Sequence, residues 1–426
     1  MGKTRKKLAR EQSKRPHIYE IDPLRACTAF SVVGVHVLAA TLFLNQAAPG
    51  VQIQNALIVA LHYTREMFIF ITAFALAYVY FERSFSLKQF WLKRGLGVLL
   101  PYVIWSLIYI WANHPGISGE KFLQLSLIDI PTGNASYQLY YILLSLEFYA
   151  LLPLFLLFLK RCKHHPWIVL SVSFVLQLLI YYADFHTLQQ NTPTSGFWYE
   201  FEQYQDRFIL IYQFYFVLGG FVALYFQQVR SFLLRHGTIV AGGFFLALAT
   251  LWLHFVVQID VYHESIPYAS SVLQPIMAFF CVAIILFMLW LTSRWASRTG
   301  PVEHPRGYRI WQVLADASFG VYLIHVLILD QVFRWAVPAM PKTWFVGVRV
   351  FLVWLLTAGG ATAITILLLN IPIASRLVGH EDLRRSSITK RQEHPREKIA
   401  PATEKGEVSE HQRLSRTIVT RSLNTP

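Results

Sequence analysis

ACTAFSVVGVHVLAATLFL, at residues 26–44, is a run of 19 residues without a charged side chain. A helix of about 20 apolar residues is long enough to cross the hydrocarbon core of a bilayer. Because lipid cannot hydrogen-bond the backbone, a single segment of this kind must be helical. The run therefore predicts a membrane-spanning helix, and further apolar runs follow it along the chain.

The composition indicates a membrane protein throughout. Of the 426 residues, 55% are hydrophobic and 15% are charged, against about 25% charged residues in soluble domains. We therefore exclude an ordinary soluble enzyme and predict an all-α bundle of about ten transmembrane helices. The predicted spans are residues 26–44, 56–81, 95–113, 136–159, 167–183, 208–228, 238–258, 270–292, 310–333 and 349–374.

The basic residues report topology rather than nucleic-acid binding. The net charge is +14, but most of this excess lies in the two tails, so no basic surface for nucleic acid is indicated. With both termini cytoplasmic, 32 of the 38 Lys and Arg residues fall on the cytoplasmic side, as the positive-inside rule requires. We predict a basic cytoplasmic tail at 1–20, a transmembrane domain at 21–375 and a charged cytoplasmic tail at 376–426. The last of these has the composition of a disordered or lipid-surface segment.

An arginine and a histidine lie in register on the first span. His36 follows Arg25 by eleven positions, and eleven steps of 100° return to within about 20° of the same helix face. The two residues are about 16 Å apart along the axis, so we expect the guanidinium at the cytoplasmic interface and the imidazole near mid-membrane. This pair suits an anion at the cytoplasmic mouth whose reactive end reaches inward. A snorkelling arginine and a histidine that hydrogen-bonds between helices would produce the same pattern.

The ninth span, which contains ADASFGVYLIHVLILD, carries a second group of polar side chains. Ser318 and His325 are seven residues apart and share a face, whereas Asp316 and His325 lie on opposite faces. A Ser/His/Asp hydrolytic triad on this one helix is therefore not indicated. Ser318, Tyr322 and His325 are candidates for lining a chamber, with interhelical hydrogen bonding as the alternative.

Spans two and four contain charged groups that lipid would disfavour. His62 and Glu66 are four residues apart, with Arg65 beside them, which indicates either a polar lining or an interfacial ion pair. Glu147 is flanked by apolar residues and must face the bundle interior, where Arg25 or Arg65 would be its partner. We therefore treat Arg65, Glu66 and Glu147 as candidate lining residues.

The longest predicted outer loop, residues 184–207, interleaves aromatic and acidic side chains. Aromatic faces and carboxylates are the groups that contact sugar rings and their hydroxyls. Trp198, Tyr199 and Glu200 are therefore our candidates for contact with a carbohydrate. A belt of Trp and Tyr at the membrane interface would look much the same.

Six segments follow one another in an order typical of one family. They are IDPLRACTAFSVVGVHVL, FIFITAFALAYVYF, FWLKRGLGVLLPYVIWSLIY, YQLYYILLSLEFYALLPLF, QFYFVLGGFVALYF and SFGVYLIHVLIL. Together they resemble the membrane acyltransferase-3 family, the bacterial O-acyltransferases that modify surface carbohydrates, over residues 18 to 375. Ten residues between an arginine and a histidine in the first span are the hallmark of that family.

The resemblance implies roles for several candidates. His36 would be the base near the acceptor hydroxyl, and Arg25 would help to hold the donor, acyl-CoA from the cytoplasm. Lys93 and Arg94 would extend the basic mouth towards the phosphates of the donor. The polar group on the ninth span would line the same chamber.

The chain also departs from the family pattern at several positions. Many members have a second arginine where this chain has Gly97, and Ser-Gly where it has Thr72 and Ala73. A histidine common ahead of the fourth span is Gln138 here, and a common glutamine is Glu147. The reaction class is therefore better supported than the acyl group.

The resemblance and the residues predict an integral-membrane O-acyltransferase, most simply an acetyltransferase, in a bacterial cytoplasmic membrane. Expected partners are the lipid bilayer, acyl-CoA as co-substrate, a carbohydrate acceptor and polysaccharide-synthesis machinery. No bound cofactor or metal is predicted, since the three cysteines lie at unrelated positions. Direct transfer and an acyl-enzyme route both remain open. The alternative function is a glycan exporter, because intramembrane histidines and acids also relay protons.

Overall fold

The computed structural model describes residues 16–45, 48–83, 86–191, 194–298 and 304–379. All of them belong to one compact unit, and residues 380–426 lie outside the described part. The two predicted cytoplasmic tails therefore lie almost wholly outside the described residues.

Within the described residues the chain is helical and contains no β-strand. The α-helices are α1 (Ile21–Ala40), α2 (Ala48–Leu61), α3 (Thr64–Tyr80), α4 (Leu87–Arg94), α5 (Leu100–Asn113), α6 (Gly119–Thr132), α7 (Tyr140–Cys162), α8 (Pro166–Ala183), α9 (Phe197–Tyr204), α10 (Gln213–Leu224), α11 (Phe226–Arg235), α12 (Gly237–Asp260), α13 (Ile266–Ala269), α14 (Pro275–Ala296), α15 (Tyr308–Gln331), α16 (Val337–Ala339) and α17 (Val346–Asn370). Short 3₁₀ or π segments extend or join them at Leu42–Leu44, Gly95–Leu99, Asp184–Leu188, Gln205–Arg207, Ile209–Tyr212, Val332–Ala336 and Ala374–Val378.

The predicted all-α transmembrane bundle is confirmed. In the part of the chain that the structure describes, nine helices are long and apolar enough to cross a membrane. A tenth crossing arises if Phe197–Arg207 and Ile209–Leu224, which are bent by 54°, form one span. This bent pair corresponds to the predicted sixth span, so the protein is a multi-pass membrane protein with about the predicted number of spans.

The second span is broken, whereas the sequence pattern predicts one continuous helix at 56–81. Helix α2 ends at Leu61 and α3 begins at Thr64, although Pro49–Tyr80 still has the length and hydropathy of one crossing. The N–H of His62 bonds to the carbonyl three residues back, at Val59, a spacing that tightens the end of a helix. His62 and Glu66 therefore do not lie on one continuous helix, although their spacing had predicted neighbours on one helix face.

The first helix begins earlier than predicted, at Ile21. Asp22 and Pro23 stand in its first turn, where an acid and a proline are both favoured. Arg25 therefore lies one turn inside the helix rather than at its end. His36 lies about one turn from the opposite end at Ala40, not near the middle of the span, because the whole helix is shifted towards the N-terminus.

Helices α3 and α10 cross closely at Gly219. A Cβ atom on Gly219 would lie 2.9 Å from the Cβ of Ala73 and closer still to the carbonyl oxygen of Phe70. Small residues allow such close approach of helices in membrane proteins. Gly242 on α12 provides a contrast, because a Cβ there would have no heavy atom within 4 Å.

We expect Gly219→Ala to lower the free energy of unfolding by about 1–3 kcal/mol, since the added methyl group overpacks the crossing. Gly242→Ala gains the same helix propensity without a clash and should leave the stability unchanged or slightly higher. Thermal unfolding of both variants in one detergent measures the difference. A Gly219→Ala protein as stable as the Gly242→Ala protein would show that the crossing is not tight.

Both ends of the described chain pack on the bundle, slightly beyond the predicted domain boundaries. Glu20, assigned to the N-terminal tail, is 5% exposed and pairs with Arg230 at 2.7 Å. The 3₁₀ segment Ala374–Val378 crosses the predicted boundary after residue 375. Its Leu377 carbonyl accepts a hydrogen bond from Trp105 at 2.9 Å, which holds this segment against α5.

Candidate active site

Two cavities lie along α1. The first, the histidine cavity, has a volume of about 610 Å³ and is lined by His36 and Arg65, among others. The second, the basic cavity, has a volume of about 500 Å³ and is lined by Arg25, Lys93 and Arg94. The arginine and the histidine of α1 thus reach two different cavities from one helix.

The basic cavity brings together the three residues predicted to bind a donor. Arg25 Nη2 donates to Ser318 Oγ at 3.4 Å. The Arg94 guanidinium lies 4.9 Å from the centre of the Tyr149 ring, and its Nε has no hydrogen-bond partner among the described residues. Three cations and the carboxylate of Asp316 line this cavity, so its net charge favours an anion.

Gly97, the position where related sequences often have an arginine, also lines the basic cavity. Gly379 lies beside it with φ of +77°, and a Cβ there would lie 2.7 Å from the Gly97 carbonyl oxygen and from Phe319 Cδ1. The backbone at Gly379 therefore packs against Gly97. Because residue 97 is glycine, no side chain from this position adds a charge to the basic cavity.

His36 lines the histidine cavity, and its ring contacts two rings that do not line this cavity. Its ring stacks on that of His325 with centroids 5.2 Å apart and planes at 24°, and the Tyr137 ring is 4.8 Å away. No hydrogen bond ties the His36 imidazole to any residue that the structure describes. The imidazole is therefore held by packing and keeps its nitrogen atoms free for a ligand.

The predicted lining group on the ninth span is divided: Ser318 lines the basic cavity, Tyr322 lines both cavities, and His325 lines neither. His325 is instead fully buried and is oriented by its own helix. Its Nδ1 donates to the Tyr322 carbonyl at 2.8 Å, whereas Nε2 is buried without a partner in the described part of the chain. Because a carbonyl requires a donor, Nδ1 carries the hydrogen, and Nε2 of the neutral ring is an acceptor.

Three aromatic side chains separate the two cavities. Phe68, Tyr141 and Tyr322 line both of them, and we call these three residues the aromatic partition. The Tyr141 ring centre is 5.9 Å from that of Phe68 and 6.1 Å from that of Tyr322. The Tyr322 hydroxyl donates to the Gln138 carbonyl, so the partition is fixed to the loop before α7.

The two charged residues of the second span, Arg65 and Glu66, face different surroundings. Arg65 lines the histidine cavity, where Nη1 donates to the Tyr140 hydroxyl at 3.3 Å and the guanidinium covers the Tyr212 ring at 4.7 Å. Glu66 lines neither cavity, although the sequence made it a lining candidate. It is 1% exposed and lies 3.7 Å from Arg65 Nε. Arg65 and Glu66 are adjacent on α3 and point about 100° apart, so Glu66 faces the bundle interior where Arg65 faces the cavity.

Glu147 has a different partner from the two arginines that its position suggested. Its Oε2 accepts a hydrogen bond from the backbone N–H of Ile209 at 2.9 Å, and it lines neither cavity. The bend between Arg207 and Ile209 leaves this N–H free of helical bonding, so the carboxylate caps the backbone at the bend.

The aromatic loop contributes other residues than those predicted. Trp198, Tyr199 and Glu200 are exposed and do not line the histidine cavity. Residues of the same loop that do line it are Gln189, Glu202 and Gln205.

Another wall of the histidine cavity was not predicted from the sequence. It is formed by the residues ahead of α14, including Ser265, Tyr268 and Ser270. The eighth span was predicted to begin at residue 270, whereas α14 begins at Pro275. The polar run HESIPYASS at 263–271 was the signal that this segment lies outside the helix.

Comparison with known families agrees with this architecture. The model of the acyltransferase domain family, acyltransferase 3, matches residues 18–370, which include both cavities almost entirely. Neither a curated protein nor a solved structure matches the chain significantly. The family match covers most of the chain, and the protein therefore belongs to the acyltransferase-3 family of membrane acyltransferases.

Proposed function

We propose that this acyltransferase moves an acyl group, most simply acetyl, from cytoplasmic acyl-CoA to a hydroxyl of a surface or secreted carbohydrate. One observation carries the proposal: a cavity lined by Arg25, Lys93 and Arg94 and a cavity lined by His36 meet at a single partition. Donor and acceptor would enter from opposite ends and react beside His36. The proposed setting is a bacterial cytoplasmic membrane, next to polysaccharide-synthesis machinery.

The basic cavity suits the phosphates of acyl-CoA. Arginine and lysine bind phosphate oxygens through charge-assisted hydrogen bonds, and the predicted excess of basic residues supports a cytoplasmic position for this end. The pantetheine arm is long and flexible enough for the roughly 16 Å from Arg25 to His36. For the arm to pass, side chains of the aromatic partition have to change their rotamers.

The proposed role of His36 is that of general base. A neutral imidazole within reach of a hydroxyl takes its proton as the bond forms, and such catalysis contributes about 10²- to 10⁴-fold. The acceptor oxygen attacks the thioester carbonyl carbon while His36 takes the hydroxyl proton. The C–S bond then breaks, and the thiolate recovers the proton to leave as the CoA thiol.

The histidine cavity has the lining expected of a carbohydrate site. The lining includes the polar residues Gln189, Glu202, Gln205 and Ser270 together with Tyr268. Its volume of about 610 Å³ lies within the range of small-molecule sites. These groups support a hydroxyl-rich acceptor more than an apolar one.

We expect Arg25→Ala to weaken acyl-CoA binding by about 10- to 100-fold, the loss of one charge-assisted hydrogen bond. Arg161→Ala is the matched control, since Arg161 is exposed at the end of α7 and lines neither cavity. Titration of acetyl-CoA into detergent-purified protein measures both affinities. Equal affinity in the Arg25→Ala protein would remove Arg25 from the donor site, and a wild type without affinity would remove the donor itself.

A further inference from the structure

The loop between α6 and α7 runs beside the proposed base. Its Tyr137 ring lies 4.8 Å from the His36 ring, and the next residue, Gln138, is 2% exposed and lines the histidine cavity. Gln138 is thus a buried polar residue close to the position where the ester bond would form.

Gln138 also lies where the two cavities meet. Its backbone carbonyl accepts the hydroxyl of Tyr322, and Tyr322 belongs to the aromatic partition that lines both cavities. A thioester that passes the partition to reach His36 therefore arrives next to Gln138.

The oxygen and the nitrogen of the Gln138 amide differ in their hydrogen bonding. Oε1 accepts a hydrogen bond from the Ser136 hydroxyl at 2.6 Å, which orients the amide group. Nε2 is buried and makes no hydrogen bond of normal geometry with a described residue, although the Gln138 side chain lies close to the Tyr109 hydroxyl. Buried donors in native proteins are almost always paired, so a donor left unpaired beside a cavity indicates that a ligand supplies the acceptor.

We propose that Gln138 Nε2 donates a hydrogen bond to the carbonyl oxygen of the acyl thioester and to the oxyanion that forms there, which makes Gln138 a catalytic residue. This inference rests on the proposed function. As the acceptor oxygen adds to the carbonyl carbon, His36 takes the hydroxyl proton and the negative charge moves to the carbonyl oxygen beside Gln138. Collapse of this intermediate restores the carbonyl, breaks the C–S bond and returns the proton to the departing thiolate.

The proposed role of Gln138 as a hydrogen-bond donor suggests three substitutions. Gln138→Glu keeps the size of the side chain but has no N–H group at neutral pH, and Gln138→Met keeps the length without polarity. Gln138→His restores a ring N–H donor. Gln258→Met is the matched control, because Gln258 is also a buried glutamine, on α12, and lies outside both cavities.

The test measures transfer of radiolabel from acetyl-CoA into alkali-labile carbohydrate in membranes that contain each variant at equal folded level. We expect Gln138→Glu and Gln138→Met to lower the maximal rate about 10²-fold, the effect of losing one oxyanion donor, with unchanged acetyl-CoA affinity. Gln138→His should recover most of the rate, and Gln258→Met should keep all of it. If Gln138→Glu fails to fold, Gln138→Met carries the comparison.

Two results would overturn the inference alone. One is a wild-type rate in the Gln138→Met protein. The other is a fall of the transfer rate and of the acetyl-CoA affinity by the same factor in that protein, which would make Gln138 a binding residue. A wild type that transfers no label at all would instead overturn the proposed function, and this inference with it.

Discussion

Replacement of His36 by alanine should lower the ester-linked acyl content of the surface carbohydrate by about 10²- to 10⁴-fold, the contribution of a general base. His36 lines the histidine cavity and makes no hydrogen bond with a described residue. Its replacement therefore removes a proton acceptor without breaking a hydrogen bond within the described structure. Proton NMR of the isolated carbohydrate, at matched expression of wild type and variant, measures the ester content.

The matched control for this substitution is His164→Ala. His164 is exposed in the turn after α7 and lines neither cavity, so the ester content should stay at the wild-type level. Unchanged ester content in the His36→Ala strain would contradict the assignment of the base. A strain that exports less carbohydrate with the same number of esters per sugar would favour the exporter alternative.

Replacement of His325 by alanine should lower the rate of acyl transfer by about 10²-fold, although His325 is not proposed to take the proton. Its ring stacks on His36 with centroids 5.2 Å apart, and it is fully buried. Alanine would leave a void beside His36 and allow its imidazole to move, and a displacement of about 1 Å in a reacting group can cost 10²-fold. Rates of label transfer from acetyl-CoA in membranes measure the effect.

The conservative variant His325→Phe separates positioning from other roles. Phenylalanine keeps an aromatic ring against His36, so most of the rate should return while acetyl-CoA affinity stays constant in both variants. If His325→Phe were as slow as His325→Ala, the nitrogen atoms of His325 rather than its ring would be needed. A wild-type rate in His325→Ala would remove His325 from the site.

Much of the fold could be predicted because membrane insertion leaves a strong mark on sequence. Long apolar runs identify the spans, and the family match over residues 18–370 confirms the reaction class. Arg25, Lys93 and Arg94 could be grouped because the resemblance implies a donor role for all three and the positive-inside pattern puts them on the same predicted side. All three line one cavity.

The details that failed depend on tertiary contacts that periodicity does not encode. Glu147 bonds to the backbone of Ile209, and that N–H is free only because a bend occurs there. Glu66 and Arg65 are adjacent on α3 and point about 100° apart, and the sequence alone does not show which of the two faces the cavity. For the aromatic loop, the pattern identified the right segment but not which of its side chains face the cavity.

The central claim is that an acyl group passes from acyl-CoA at the basic cavity to a hydroxyl at the histidine cavity across one partition. Sealed membrane vesicles of known orientation, supplied with radiolabelled acetyl-CoA on one side only, test it most directly. We predict that label supplied at the cytoplasmic face appears as alkali-labile ester on carbohydrate at the opposite face, and that His36→Ala vesicles form none. Label transfer that requires acetyl-CoA at the outer face, or that persists in His36→Ala vesicles, would contradict the claim.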